Sequence, residues 1–255
     1  MNKKFIRTIW ITLLAFSYMG FTYSGAYGWA LSSLGTVLIL FFGFLYYRKE
    51  FQVALGIGMN WKSVLLSFIL AIVFTSGAFL LIKYIAGNHD IKIYPGNYKN
   101  YYHIFFYTLN EEMILGGILI YILKVKWKIK SIQIAFGLAL FYACLHFVFY
   151  KWMFLFHTNL HILTLATLFF VGALRNMLIL TTKHIGYAWA LHFGWMVLMF
   201  GTSHFYISNN ERLSEPQLFD TYLGSYEMLG ISFLLVFIYF IIIRKSLISP
   251  ELISR

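Results

Sequence analysis

Residues 63–86 read SVLLSFILAIVFTSGAFLLIKYIA, and the class of fold follows from them. Lys83 is its only charged residue, and the apolar side chains run almost without interruption. A helix needs roughly 20 such residues to cross a hydrocarbon core of about 30 Å. A strand of a membrane barrel would instead alternate apolar and polar residues. Because backbone groups in lipid must form hydrogen bonds within their own segment, this stretch predicts a transmembrane helix.

The composition of the whole chain extends this prediction to its full length. Of 255 residues, 60% are hydrophobic and only 11% are charged, whereas soluble domains contain roughly a quarter charged residues. We therefore predict an all-α, polytopic membrane protein whose residues 1–255 form a single membrane domain. Eight transmembrane helices are expected, over residues 8–24, 29–47, 63–86, 101–123, 132–150, 153–174, 184–201 and 227–243.

Basic residues indicate the orientation of these helices, because cytoplasmic loops hold an excess of Lys and Arg. With eight helices and a cytoplasmic N-terminus, the inner segments contain 15 of the 20 basic residues, among them Arg175 and Lys183. Both termini are therefore predicted to be cytoplasmic, with the chain in the plasma membrane. Topology alone explains the formal charge of +11, so no nucleic-acid partner is expected. The apolar run 8–24 is longer than a typical signal-peptide core, which favours a retained first helix.

Four ionisable side chains fall inside predicted helices, where charge is costly and is a mark of function. They are Glu111 and Glu112 in the fourth helix, His146 in the fifth and His192 in the seventh. Adjacent carboxylates in lipid resist ionisation unless a cation, a metal or water lies nearby. Two carboxylates and two imidazoles can deprotonate a water and stabilise an oxyanion, or they can bind a divalent metal. Alternatively, a Glu–His pair only ties two helices together.

These residues stand in three short motifs on separate helices. Glu111-Glu112 form an acidic pair, Tyr142 precedes His146 by four residues, and the run from 181 to 191 leads into His192. In this order, the segments resemble the motifs of the CAAX protease and bacteriocin-processing (Abi) family of intramembrane peptidases. The resemblance covers a peptidase-like core of about residues 101–201.

The resemblance implies a polar site between the fourth, fifth and seventh helices and an endopeptidase that cuts membrane-associated or lipidated peptides or proteins. It implies that Glu111 is the general base with His146 as its partner. Glu112 belongs to the same site, and His192 stabilises the oxyanion or helps to hold the water. The cofactor stays open between none and a divalent metal such as zinc, for which Glu111, His146 and His192 are the candidate ligands.

Two positions depart from the family pattern. Gly116 replaces an Arg that would lie one helical turn from Glu112 and keep that carboxylate charged. Glu112 must therefore find another partner or stay protonated, and Thr108, one turn earlier, can supply only a hydrogen bond. Met196 replaces an Asn four residues after His192 and offers no hydrogen-bond donor. The alternative function is therefore a catalytically weakened relative that binds a peptide, confers bacteriocin immunity or assists another membrane protein.

Two further possibilities follow from single features of the sequence. A small transporter could use Glu and His as a proton relay, but the hydropathy shows no matched halves of the kind that inverted repeats produce. His157 and His161 have the i, i+4 spacing of a metal-ligand pair on the predicted sixth helix, although they lie near its outer end, where polar side chains are common.

Overall fold

The computed structural model describes residues 28–58, 61–88, 91–94, 98–149, 155–156, 159–160, 162–197, 204–207 and 223–248. The predicted first helix, 8–24, lies outside these residues. The architecture is helical, with short strands in the connections. The elements in chain order are α1 (Gly28–Tyr47), a 3₁₀ turn (Arg48–Glu50), α2 (Phe51–Leu55), α3 (Trp61–Asn88), β1 (Ile91–Tyr94), α4 (Tyr98–Glu111), a first π-helical stretch (Glu112–Ile118), α5 (Leu119–Tyr121), a second π-helical stretch (Ile122–Lys126), α6 (Ser131–Phe149), β2 (Leu155–Phe156), β3 (Asn159–Leu160), α7 (Ile162–Thr182), α8 (Gly186–Met196), β4 (His204–Ile207) and α9 (Tyr226–Ile248).

Within the described part of the chain, five helical segments are long and apolar enough to cross a membrane. They are Ala30–Leu55, Trp61–Leu80, Tyr101–Lys126, Ile162–Thr182 and Tyr226–Arg244. A shorter apolar helix covers Ser131–His146, and α8 lies within the predicted span 184–201. These helices fit an integral membrane protein, as predicted, whereas the count of eight remains a prediction.

The predicted sixth helix, 153–174, is wrong in its bounds. Residues 155–156 and 159–160 pair as an antiparallel ribbon, and the helix runs over Ile162–Thr182 instead. Aromatic and aliphatic residues before Ile162 raise the local hydropathy, which does not distinguish a buried helix from a short strand. Because the helix is displaced along the chain, Arg175 lies inside it, only 7% exposed, and not in an inner loop. His157 and His161 lie outside the described residues.

The chain forms two compact units, each assembled from separated segments. The first unit comprises Met1–Lys83, Tyr94–Ile122 and Lys183–Ser203, and the second comprises Tyr84–Ile93, Leu123–Thr182 and His204–Arg255. The acidic pair and His192 therefore belong to the first unit, and His146 and Arg175 belong to the second. The predicted peptidase-like core contributes residues to both units.

In the first unit, the first π-helical stretch packs against the end of α2. A Cβ on Gly117 would lie 2.9 Å from the Leu55 Cα and closer still to its carbonyl group, so only glycine allows this approach. Gly56, which follows Leu55 at the end of α2, has a φ of 65°, which glycine adopts without strain. Its carbonyl accepts a hydrogen bond of 2.8 Å from Ile185 N just before α8. These contacts hold α2, the π-helical stretch and the start of α8 together.

In the second unit, α6 and α7 pack antiparallel. Asn176 Nδ2 donates to the Ala135 carbonyl at 3.0 Å, and one turn away Gly172 lies against Ala139. Helix α9 completes the core through Val236, which clusters with alanines and Met177 of the other two helices. Small residues at the contact let the helix backbones approach closely, as is common between helices in membranes.

Candidate functional site

Three consecutive polar residues at the end of α4 point toward different neighbours. Residues on a helix are separated by roughly 100°, so Asn110, Glu111 and Glu112 project in three directions. Asn110 bonds to α1, and Glu112 bonds to α8. Glu111 lies between these two directions. All three side chains are buried, with Glu111 only 4% and Glu112 0% exposed.

Glu112 pairs with His192. Oε1 of Glu112 lies 3.0 Å from Nδ1 of His192, whose side chain is 13% exposed. When Glu112 is ionised, its carboxylate accepts the Nδ1 proton, and the neutral ring carries its lone pair on Nε2. A carboxylate at Nδ1 also stabilises the ring when Nε2 takes up a second proton, as in the aspartate–histidine pairs of hydrolases. The sequence predicted both residues for the site, and the structure brings them together.

Glu111 provides the open acceptor of this region. Its Oε1 is fully buried and has no hydrogen-bond partner among the described residues. An unmet buried acceptor costs about 1–3 kcal/mol, and a bound water or substrate would remove that cost. The oxygen is therefore suited to accept a hydrogen bond from a polar group that enters the site.

A buried hydrogen-bond network between α4 and α1 holds Asn110, the residue before the acidic pair. Thr36 Oγ1 donates to Asn110 Oδ1 at 2.5 Å, and Asn110 Nδ2 donates to the Ser32 carbonyl at 2.8 Å. The Ser32 hydroxyl lies 3.3 Å from Nδ1 of His103. These bonds tie α4 to α1 immediately before Glu111. Ser32 and Thr36 were not among the residues predicted for the site, although two hydroxyls four residues apart in an apolar span are visible in the sequence.

Helix α4 becomes π-helical at Glu112, and all seven residues from Glu112 to Ile118 are buried. π-helical stretches are rare and frequently mark functional sites. Gly116 is one of these buried residues. The Thr108 hydroxyl donates to the carbonyls of Ile104 and Phe105. His192 is a partner of Glu112 that the sequence did not reveal.

An aromatic cluster positions His192 on α8. The rings of Trp189 and Phe193 stack with centroids 5.1 Å apart, and Phe105 of α4 packs edge-on against both. Trp189 Nε1 is buried without a hydrogen-bond partner among the described residues, which makes it a second open polar atom in the first unit. Met196, at the end of α8, is partly buried.

His184 anchors the start of α8, in the connection after α7. Its Nδ1 accepts a hydrogen bond of 2.8 Å from Gly186 N, and a further hydrogen bond joins the ring to the Gly58 backbone. Burial lowers the pKa of His184, and the bond to Gly58 opposes this shift. The hydrogen bonds of the neutral imidazole therefore join the connection after α2 to the start of α8, the helix that carries His192.

His146 belongs to the second unit. Its Nδ1 lies 2.9 Å from the Tyr142 carbonyl oxygen, and the centroids of the His146 and Tyr142 rings are 4.2 Å apart. Because a carbonyl only accepts, Nδ1 must carry a proton, and the neutral ring again has its lone pair on Nε2. His146 and His192 thus share one tautomer, each fixed by an oxygen atom at Nδ1.

The metal ligands proposed from the sequence were Glu111, His146 and His192. In the described part of the chain, no three His, Cys, Asp or Glu side chains converge closely enough to hold a metal ion. A catalytic zinc site requires three protein ligands. Because Glu111 and His192 belong to the first unit and His146 belongs to the second, this ligand set stays a prediction from the sequence.

Comparisons with protein-family models, with curated proteins and with solved structures gave no match to this chain. Function is therefore inferred from its side chains and their geometry.

Proposed function

We propose that this chain is an intramembrane endopeptidase that hydrolyses a membrane-associated or lipidated peptide or protein. The observation that carries the proposal is the buried Glu111 Oε1, which has no hydrogen-bond partner among the described residues, next to the Glu112–His192 pair. A base and an imidazole supported by a carboxylate are the groups that water-mediated amide hydrolysis needs.

In the proposed reaction, Glu111 accepts a proton from a water whose oxygen attacks the scissile carbonyl carbon. The carbonyl becomes an oxyanion, to which a protonated His192 Nε2 donates a hydrogen bond. Glu112 stabilises that protonated ring through Nδ1. The carbon–nitrogen bond then breaks, and Glu111 returns its proton to the leaving amine. The motif resemblance also assigns His146 to this site, as the partner of Glu111.

The resemblance to the CAAX protease and bacteriocin-processing family supports the same class of reaction. It rests on the acidic pair, on His146 with Tyr142 and on His192. The distribution of basic residues supports a protein of the plasma membrane whose termini are cytoplasmic. When Arg175 is left out of the count, the inner segments still hold 14 of the 20 basic residues.

The test is cleavage of a pool of membrane-associated peptides by purified protein in lipid, followed by mass spectrometry. Glu111→Gln should lower the rate by about 10²–10⁴, the usual contribution of a general base, and His192→Ala and His146→Ala should each lower it as well. Glu227→Gln is the matched control, because Glu227 is exposed in the first turn of α9 and its loss should leave the rate unchanged. Equal rates for wild type and Glu111→Gln would refute the assignment.

Gly116 and Met196 favour a second function, a non-hydrolytic relative that binds a peptide or a membrane partner. Gly116 provides no cation beside Glu112, and Met196 provides no donor to an oxyanion. Under this alternative, folded protein binds peptides from the pool with measurable affinity and leaves all of them intact.

A further inference from the structure

The connection between the second π-helical stretch and α6 carries a regular pattern of lysines. Residues 124–130 read KVKWKIK, in which four lysines alternate with three apolar residues. The segment contains no acidic residue to offset their charge. Because an excess of basic residues at helix ends on one side of a membrane follows from topology alone, a binding role has to rest on how this segment folds.

The backbone folds this connection into a compact turn. Ile129 N donates to the Leu123 carbonyl at 3.0 Å. Lys128 lies in the left-handed region with a φ of 57°, which a residue with a side chain rarely adopts. The side chains of Lys128 and Lys130 are exposed. Two cations are therefore presented to the surroundings on a turn of defined shape.

The end of α9 brings further positive charge to the same end of the second unit. Ile132 near the start of α6 and Ile243 near the end of α9 pack against the same buried cluster. Phe136 and Phe240 contact edge-on one turn further along these helices, with ring centroids 6.2 Å apart. Arg244 is exposed and follows Ile243 directly, so it lies at the level where α6 begins.

Negative charge is scarce at this end of the second unit. Among the described residues of this unit, Glu227 is the only acidic one, and it lies in the first turn of α9, at the opposite end of that helix. Over residues 124–130 and 244–255, the sequence has seven basic residues and one acidic residue, Glu251. The end where α6 begins and α9 ends is therefore strongly positive.

Trp127 and the neighbouring helices indicate which negative group these cations meet. The Trp127 side chain is 47% exposed, and tryptophan is enriched at the level where lipid headgroups meet the apolar core. Along α6 and α9, Leu140 and Phe237 are 56% and 51% exposed, so lipid tails cover this part of the helices in a membrane. The cations at the helix ends then face headgroups directly, which favours an anionic lipid over a soluble acidic protein as the partner.

We propose that the second unit binds the headgroup of an anionic phospholipid at this basic end, through Lys128 and Lys130 of the connection and Arg244 of α9. Ammonium and guanidinium groups donate charge-assisted hydrogen bonds to phosphate oxygens. Clusters of basic residues at the end of a membrane helix attract anionic lipids. A phosphatidylcholine headgroup carries its own cation, so the site should discriminate against it. The site does not depend on the hydrolysis proposed for the first unit.

The test is the binding of phosphatidylglycerol to the full-length protein in neutral detergent micelles, followed by the midpoint of thermal unfolding as lipid is added. A ligand that binds only the folded chain raises this midpoint as its concentration increases. Phosphatidylglycerol should act at concentrations about 100-fold lower than phosphatidylcholine, since three cations contribute about fivefold each. Its effect should weaken between about 0.1 M and about 1 M salt, because salt screens exposed charges.

Lys128→Gly separates the charge from the shape of the turn. Glycine adopts a φ of 57° without strain, so this variant should fold as stably as wild type and bind phosphatidylglycerol about fivefold more weakly. Lys183→Gly is the matched control in the first unit. Lys183 is also exposed and has a φ of 56°, and its loss should leave the affinity unchanged. Lys130→Arg should bind as wild type does, whereas Lys130→Gln should lose about fivefold.

Equal affinities for phosphatidylglycerol and phosphatidylcholine would overturn the proposal. Equal losses from Lys128→Gly and Lys183→Gly would overturn it as well, because net charge alone would then attract the lipid. Inorganic phosphate and a soluble polyglutamate peptide are the competing probes. If either one displaces phosphatidylglycerol at a similar concentration, the partner is a free anion or an acidic protein, and the assignment to a lipid is wrong.

Discussion

Gly117→Ala is expected to destabilise the protein although alanine favours helices. The new methyl would lie 2.9 Å from the Leu55 Cα and closer still to the Leu55 carbonyl. These are backbone atoms, and the adjacent Gly56–Ile185 hydrogen bond of 2.8 Å limits their movement. Overpacking of this kind costs about 1–3 kcal/mol, and replacing glycine in a helix returns about 0.5–1 kcal/mol. The free energy of unfolding should therefore fall by about 1–2 kcal/mol.

The assay is tryptophan fluorescence during thermal unfolding in lipid–detergent micelles. For a chain of this size, about 1 kcal/mol shifts the midpoint by roughly 2–4 °C. Gly77→Ala is the matched control, because a Cβ there meets no atom within 4 Å and should raise the midpoint slightly. If Gly117→Ala unfolds at or above the wild-type temperature while Gly77→Ala behaves as expected, the packing of the π-helical stretch on α2 is wrong.

Three other predictions concern the bonds that position the site. In a double-mutant cycle of Glu112→Gln and His192→Ala, the unfolding free energies should show a coupling of about 1.5–3 kcal/mol; additive effects would mean that the pair is not formed. The pKa of His184 is lowered, chiefly by burial, from 6.5, so the unfolded chain binds a proton more readily than the folded chain. Stability should therefore fall as the pH drops below about 6.5 and level off below the folded-state pKa, and melts of His184→Gln should show a weaker pH dependence. Thr36→Val removes the bond to Asn110 and should cost about 1–3 kcal/mol, whereas Thr36→Ser should retain most of the stability in the same chemical denaturation experiment.

Long apolar runs were sufficient to predict the class of fold. Residues 63–86 and 227–243 are recovered within α3 and α9, because no other structure satisfies the backbone of such a run in lipid. The predicted start of the helix before α7 was wrong, since residues 155–156 and 159–160 satisfy hydropathy but pair as short strands. This error misplaced Arg175, because hydropathy does not show which polar residues the interior of a helix accommodates.

The candidate site was predictable as a list of residues and not as a set of contacts. Glu112 and His192 are 80 positions apart, and only the packing of α8 on α4 joins them. The π-helical stretch lies against Leu55 at Gly117, a tertiary contact that a local pattern does not contain. The sequence shows Asn110 beside the acidic pair, but only the folded structure shows its hydrogen-bond partners on α1.

The most direct test of the central claim is peptide cleavage in water enriched in ¹⁸O, with wild type and Glu111→Gln in parallel. If Glu111 activates water for amide hydrolysis, wild-type products will carry ¹⁸O in each newly formed carboxyl group, and Glu111→Gln will yield little product. Folded wild-type protein that binds peptides from the pool and leaves them uncut, or products without the heavy oxygen, would contradict the account.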